Sequence, residues 1–207
     1  NVLSDFQPVV PSKFKDANVV VLGNLHPLVQ SSVLDQVTNK EALIILDTMN
    51  FWMEHTLEEL KEVIKRVDVI TINDEEARQL SGQSSLVAAA RKIHAMGPKY
   101  VVIKKGEHGA LLFSGDNVFF APALPLEEVF DPTGAGDTFA GGFAGFLSKT
   151  NNFTFENMKK AVVYGSALAS FTVEKFGTER ISNLSSKEVF ERLQMFKNLT
   201  QFDIELT

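Results

Sequence analysis

Four short apolar runs without polar alternation constrain the fold of this chain more than any other feature. They lie at residues 19–22, 43–46, 69–72 and 100–103. Strands that are apolar on both sides are typical of a parallel sheet covered on both faces, and stretches with helical spacing separate these runs. The sequence therefore predicts an α/β fold, a three-layer sandwich with a mostly parallel central sheet.

Helical periodicity and turn residues account for much of the remaining chain. Helices are predicted at residues 29–37, 57–67, 74–80 and 86–96, and further helices near 155–173 and 185–197. Residues 110–113 and 118–121 flank a polar turn and predict a β-hairpin. Because no linker or low-complexity tract interrupts the chain, we expect residues 1–207 to form a single domain.

The composition excludes several classes of protein. The net charge of −6 argues against a nucleic-acid partner, and the absence of cysteine excludes disulfides and cysteine-ligated metals. No apolar run reaches the roughly 18–20 residues that a membrane span needs. Residues 1–5 do not resemble a signal peptide, so we expect a cytoplasmic protein without a membrane partner.

A glycine-rich segment at residues 131–147 carries the clearest functional signal. Its pattern becomes helical after Gly134, so Gly134, Ala135 and Gly136 present backbone N–H groups at the positive end of a helix dipole. Such groups suit a phosphate. Asp137 follows in the first turn, where a carboxylate could accept a proton from a hydroxyl that attacks phosphorus. The alternative is an ordinary helix start in which Asp137 only complements the dipole.

Three glycines inside the same predicted helix, at 141, 142 and 145, each reduce helix stability by about 1 kcal/mol relative to alanine. They predict that another backbone or a ligand approaches this helix closely. Other nucleotide motifs fail: a dinucleotide fingerprint would need glycine where Phe139 stands, and no Walker A loop occurs. A plain Rossmann-type binding module is therefore a weak alternative.

Four segments, in the same order, resemble motifs of the ribokinase-like (PfkB-type) carbohydrate kinases. Residues 131–142 resemble the C-terminal signature, 73–76 the Asn-x-x-Glu motif, 104–110 the nucleotide-contacting strand and loop, and 47–50 a conserved strand end. The resemblance spans roughly residues 9–177 and implies a mostly parallel sheet between helices with a small β lid. It also implies a chain whose N-terminal part and most of whose lid are missing.

The resemblance implies a catalytic centre in the glycine-rich segment. Asp137 would be the base that deprotonates the acceptor hydroxyl. Gly134, Ala135 and Gly136 would form the anion hole for the transferred phosphoryl group. Asp131 and Thr133 match one half of a K⁺ site, whose other half would lie in the loop at residues 172–181.

The nucleotide site is also implied by resemblance. Asn73 and Glu76 would organise Mg²⁺ and its waters, although a solvated helix face is the alternative for Glu76. The phosphate and ribose contacts would be Lys105, Gly106 and Gly109. The adenine pocket would be Val129, Ala161, Tyr164 and Gly165.

The resemblance implies a phosphotransferase that moves the terminal phosphoryl of MgATP to a hydroxyl of a sugar or similar small alcohol, with ATP, Mg²⁺ and K⁺ as its cofactors. Asp47 and Asn50 would lie near the acceptor, with a strand-end turn as the alternative. His26 stands where relatives often place a sugar-contacting carboxylate. A nucleoside or vitamin kinase of the same fold, or an inactive nucleotide-binding fragment, are the alternatives. Because relatives often dimerise through the lid, a homodimer is also implied.

Overall fold

A computed structural model describes residues 6–201, which contain one six-stranded sheet. The signal-peptide expectation depends on residues 1–5 and so lies outside them. The strands are β1 (Val19–Leu22), β2 (Leu43–Asp47), β3 (Val69–Asn73), β4 (Tyr100–Lys104), β5 (Ala110–Ser114) and β6 (Asn117–Ala121). They lie in chain order across the sheet, and β1 to β4 are parallel while β4, β5 and β6 pair antiparallel. The four predicted strands and the hairpin are confirmed.

Eight α-helices in the described chain connect and cover these strands. They are α1 (Pro27–Leu34), α2 (Asn50–His55), α3 (Leu57–Ile64), α4 (Asp74–Ser81), α5 (Leu86–His94), α6 (Ala135–Thr150), α7 (Phe155–Thr172) and α8 (Ser186–Thr200). The predicted helices are present, but α1, α3 and α5 end two or three residues earlier than their apolar spacing suggests. Helix α2 was not predicted, because six residues are too few to show a period.

The helices form two layers, one on each face of the sheet. Alternate strand residues such as Ile44 and Ile70 pack with α3 and α5, while Ile45 and Val102 pack with α6 and α7. Successive side chains of a strand point to opposite faces, so apolar residues at every position bury both sides. This arrangement confirms the three-layer α/β sandwich. No helix within residues 6–201 combines the length and apolarity needed to cross a membrane.

The glycines of α6 divide into one that packs closely and two that do not. A Cβ on Gly142 would lie 2.8 Å from Cδ1 of Leu168 and 3.2 Å from Cα of Gly165, so α7 approaches α6 at this point. No atom lies within 4 Å of a Cβ on Gly141 or Gly145. The predicted close approach of another backbone is confirmed at Gly142 and is not found at Gly141 or Gly145, where the approach of a ligand stays a prediction.

Candidate active site

The carboxyl ends of three parallel strands meet the beginning of α6 at one edge of the sheet. Asp47 ends β2, Asn73 ends β3 and Lys104 ends β4. In open α/β sheets this edge is where ligands bind. Asp47, Glu76, Lys104 and Asp137 are the charged residues gathered here, and we call them the edge cluster.

Asp47 and Lys104 form a half-buried ion pair in which Nζ of Lys104 lies 3.2 Å from Oδ1 of Asp47. The Thr71 hydroxyl also donates to Oδ1, at 3.3 Å. Burial raises the pKa of Asp47 above its ordinary value, although Lys104 acts in the opposite direction. The negative charge of Asp137 adds a smaller contribution to the rise in the pKa of Asp47.

Asn73 and Glu76 form a reciprocal capping box at the beginning of α4. The Asn73 N–H donates to Oε2 of Glu76, and the Glu76 N–H donates to Oδ1 of Asn73, both at 2.8 Å. Glu76 is only 8% exposed, and burial raises the pKa of its carboxyl group. The alternative of a solvated helix face is therefore wrong. The capping box uses Oε2, so a metal or its water would have to approach the other oxygen.

The first turn of α6 is open to an anion. Gly134 precedes the helix at φ 80°, a left-handed conformation that favours glycine, and no side chain in the described chain caps the first turn. The Ala135 N–H donates to the Pro132 carbonyl at 3.1 Å, so this predicted anion contact is already occupied, and the N–H groups of Gly136 and Asp137 are the ones that can serve a ligand. A Cβ on Gly136 would lie 3.4 Å from Nζ of Lys104, so this ammonium group lies against the same turn. Asp137 is exposed.

A cleft of about 720 Å³ extends from this turn, which is within the range of small-molecule sites. Three segments line it: the loop after β4, the chain after β6, and the facing sides of α6 and α7. The lining residues are Lys104, Gly106, Glu107, His108, Gly109, Ala110, Ala123, Leu124, Pro125, Leu126, Val129, Pro132, Ala135, Gly136, Phe139, Ser166, Ala169, Ser170 and Val173. The cleft is lined by small side chains along α7 and by the charged Lys104 at the sheet edge.

The predicted nucleotide contacts are only partly brought together here. Gly106, Gly109 and Val129 line the cleft, whereas Lys105 does not and its neighbour Lys104 does. Alternation along β4 could have identified Lys104, because it shares the parity of Val102, which packs against the α6 and α7 layer.

The three predicted adenine contacts on α7 lie outside the cleft. Ala161 is fully buried in the core, Tyr164 packs on the ring of Phe146, and Gly165 lies against Phe139. The cleft is instead lined by Ser166, Ala169, Ser170 and Val173. These four small residues recur at helical spacing, which is a signal that sequence reasoning missed.

The predicted K⁺ residues lie in a turn beside the end of α7. Oδ1 of Asp131 accepts the Thr133 N–H at 2.9 Å, and this hydrogen bond lowers the pKa of Asp131. The Phe130 N–H donates to the Val173 carbonyl at 2.8 Å, so this turn and the start of the loop at 172–181 are adjacent. Within residues 6–201, no group of three or more His, Asp or Glu side chains could hold a metal by itself.

An aromatic cluster follows Asp47 on the other side of the site. Nε1 of Trp52 donates to Oδ1 of Asn24 at 2.7 Å, and the rings of His26 and Trp52 meet edge to face. The ring of Phe51 stacks on His55 with centroids 4.2 Å apart and remains 45% exposed. The sequence analysis assigned no role to Phe51 or Trp52.

Comparison with known proteins gives a consistent result. A cytidine kinase of Thermococcus kodakarensis is 36% identical over 145 residues, covering 68% of this chain and 51% of that protein. An aminoimidazole riboside kinase of Salmonella typhimurium is 32% identical over 124 residues, covering 58% of this chain and 39% of that protein. The chain thus spans about half the length, or less, of these curated relatives.

Solved structures agree on the fold. A ribokinase of Thermotoga maritima superposes with a TM-score of 0.68 at 27% identity, covering 86% of this chain and 57% of that one. The ribokinase of Arabidopsis thaliana, solved with ribose and ATP, has a TM-score of 0.73 at 24% identity, covering 91% and 61%. The pfkB carbohydrate kinase family itself matches residues 6–184. The chain belongs to the pfkB family of carbohydrate kinases, whose ribokinase-like fold it shares.

Proposed function

We propose that this chain carries the nucleotide site and the catalytic base of an ATP-dependent kinase that phosphorylates a hydroxyl of a sugar or similar small alcohol. One observation supports the proposal above others: exposed Asp137 lies in the first turn of α6 directly after Gly136, which lines the cleft and lies against the ammonium group of Lys104. An anion site and a carboxylate side by side suit phosphoryl transfer better than simple binding.

In the proposed reaction, a carboxylate oxygen of Asp137 accepts the proton of the acceptor hydroxyl as the hydroxyl oxygen attacks the γ phosphorus. The bond from that phosphorus to its bridging oxygen breaks, and ADP leaves. The N–H groups of Gly136 and Asp137 at the start of α6 stabilise the negative charge of the transferred group.

The cofactors of the proposal fit the residues present. Mg²⁺ normally takes one or two carboxylates together with substrate phosphates, so Glu76 could hold it through water even though the described residues offer no metal cage. Bound Mg²⁺ would neutralise phosphate charge. Asp131 and Thr133 would hold K⁺ with the loop after α7, which would steady the start of α6.

A nucleoside acceptor is the second candidate function. Phe51, four positions after Asp47 in the chain, has an exposed ring that contacts Trp52, and Trp52 in turn contacts His26. A planar base could stack on this aromatic surface. The likeness to a cytidine kinase supports the same choice. A simple sugar would leave this surface unused.

The test is phosphorylation of an acceptor panel by the 207-residue chain and by Asp137→Asn, with ribose, cytidine and pyridoxal as representative acceptors. We expect the substitution to reduce kcat about 10²- to 10⁴-fold, because it removes the proton acceptor, while binding of a non-hydrolysable ATP analogue is retained. Asp116→Asn, an exposed aspartate at the hairpin turn, is the matched control. Full turnover by Asp137→Asn would reject the base, and no turnover with any acceptor would favour an inactive nucleotide-binding fragment.

A further inference from the structure

Lys104 is the one cation of the edge cluster, and the proposed function gives it no task. Its side chain is 18% exposed and that of its partner Asp47 is 11% exposed. Desolvation of a half-buried ion pair offsets much of its Coulomb attraction, so such a pair is weak evidence for a contribution to stability. A different reason is needed for a lysine at this position.

Two observations fix where the ammonium group lies. Nζ is 3.2 Å from Oδ1 of Asp47, and it is 3.4 Å from the position that a Cβ on Gly136 would occupy. Lys104 therefore lies between the strand end and the uncapped turn of α6. It also lines the cleft, whereas Lys105 does not.

The charge around Lys104 is unbalanced. Asp47, Glu76 and Asp137 all belong to the same edge, and Lys104 acts electrostatically on both Asp47 and Glu76. Three carboxylates against one ammonium group would repel a triphosphate. A movable cation at the mouth of the cleft reduces this repulsion where the terminal phosphoryl group must enter.

We propose, on the basis of the proposed function, that Lys104 contacts the terminal phosphoryl group of the nucleotide and that Asp47 is the resting counter-ion that holds the ammonium group beside α6. Lysine binds phosphate as a point charge on a flexible stem, which allows it to exchange one oxygen partner for another. It forms no covalent bond in this role. The hydroxyl proton goes to Asp137, and Lys104 stabilises the charge on the group that moves.

The test compares two nucleotides, of which only one carries the terminal phosphoryl group that Lys104 is proposed to contact. Calorimetric titration with a non-hydrolysable ATP analogue and with ADP is performed on the unsubstituted chain, Lys104→Met and Lys104→Arg. We expect Lys104→Met to weaken binding of the ATP analogue about 10- to 100-fold and to change ADP binding less than about threefold, because one charge-assisted hydrogen bond is lost only with the former. Lys104→Arg keeps the charge and should recover most of this difference.

The control is Lys99→Met, which removes an exposed lysine just before the opposite end of β4. It should leave both affinities unchanged. Because Lys104→Met leaves Asp47 without its partner, thermal unfolding of each variant is recorded, and Lys104→Arg keeps the test valid if Lys104→Met does not fold. In an active chain, Lys104→Met should also lower kcat about 10²- to 10³-fold, whereas Asp47→Asn lowers it less than about tenfold.

If Lys104→Met weakens the binding of the ATP analogue and of ADP equally, or changes neither affinity, the proposed role of Lys104 is overturned. Equal losses of kcat in Lys104→Met and Asp47→Asn would also overturn this role, because removing either partner of a purely structural ion pair should have the same effect. Failure of the proposed function looks different: the unsubstituted chain would phosphorylate no acceptor, while the contrast between the ATP analogue and ADP would still report on Lys104. A chain that binds neither nucleotide would overturn both proposals.

Discussion

Two charged clusters in this molecule use the same kinds of side chain with opposite results. In the edge cluster, three carboxylates face one ammonium group, and burial raises the pKa of Asp47 and of Glu76. The ionised forms of these two carboxylates are therefore disfavoured by their burial. An arrangement that works against its own charges is typical of a functional site.

The second cluster links the end of α7 to α8, and we call Glu174, Arg180, Glu188 and Arg192 the C-terminal network. Arg180 lies 3.1 Å from Glu174 and 2.7 Å from Glu188, and Arg192 lies 2.6 Å from Glu174. Hydrogen bonds from Ser185, followed by Arg180, lower the pKa of Glu188 to about 2. Two acids balance two bases here, so the network stabilises the fold. The two clusters thus differ in their balance of charge: the acids outnumber the bases in the edge cluster and equal them in the C-terminal network.

The largest effect on stability is expected at Arg192 of the network. This guanidinium also donates to the Ser170 hydroxyl at 2.7 Å and lies 3.7 Å from the ring centroid of Phe171. Arg192→Met should lower the free energy of unfolding by about 2 kcal/mol, because it removes an ion pair, a hydrogen bond and a cation–π contact together. Urea unfolding measures this. Arg91→Met, an exposed arginine on α5, is the control, and a loss no larger than that of the control would contradict the stabilising role.

A smaller effect is expected at Asp47 of the edge cluster. Because its folded pKa is raised, the ionised form weakens folding at neutral pH, and an amide keeps an acceptor for the hydroxyl of Thr71. Asp47→Asn should therefore change the free energy of unfolding by less than about 1 kcal/mol in urea. A loss as large as that of Arg192→Met would remove the distinction between the two clusters.

The smallest effect is a difference in pH dependence between Glu188 and Glu76. The folded pKa of Glu188 is depressed, so its stabilisation is present above the ordinary value of 4.5 and is lost as the pH falls toward about 2. The folded pKa of Glu76 is raised, so its contribution is full below 4.5 and is lost as the pH rises through the folded pKa. Between pH 3 and 7, a rising pH should therefore increase the stabilisation contributed by Glu188 and decrease the stabilisation contributed by Glu76.

Thermal unfolding of Glu188→Gln and Glu76→Gln across that range tests this difference. The unfolding temperature of Glu188→Gln should be lower than that of the unsubstituted chain at pH 6 and should approach it at pH 3. Glu76→Gln keeps a capping oxygen. Its unfolding temperature should equal that of the unsubstituted chain at pH 3 and exceed it at pH 6. Parallel curves for all three proteins would show that neither carboxylate responds to its surroundings as described.

Much of the fold was predictable because β2 to β4 are buried on both faces and therefore read as continuous apolar runs, as does the partly exposed edge strand β1. The positions of Asp47 and Asn73 followed, since polar residues at the ends of parallel strands share one edge. Helix α2 was not predictable from its period, because contacts such as that of Trp52 with Asn24 hold it in place.

The site was predictable only where backbone geometry determines it. The glycine at 134 and the helix start after it followed from residue type, whereas the choice between Lys104 and Lys105 depended on which side of β4 faces α6. Which side of α7 lines the cleft depends on the rotation of the helix about its own axis, and the apolar pattern of a mostly buried helix does not determine this rotation. Packing of Gly165 against Phe139 sets that rotation.

The Asp47–Lys104 pair also bears on how the chain folds. Its two residues are separated by 57 positions, and the bond from Phe130 to Val173 closes another long loop in the same cleft. Contacts between residues so distant in sequence incur a large loop-closure entropy and form late, whereas the β5–β6 hairpin closes locally and early. Nucleotide binding should therefore report the last steps of folding, and a folding intermediate that contains only the hairpin and isolated helices would have no cleft.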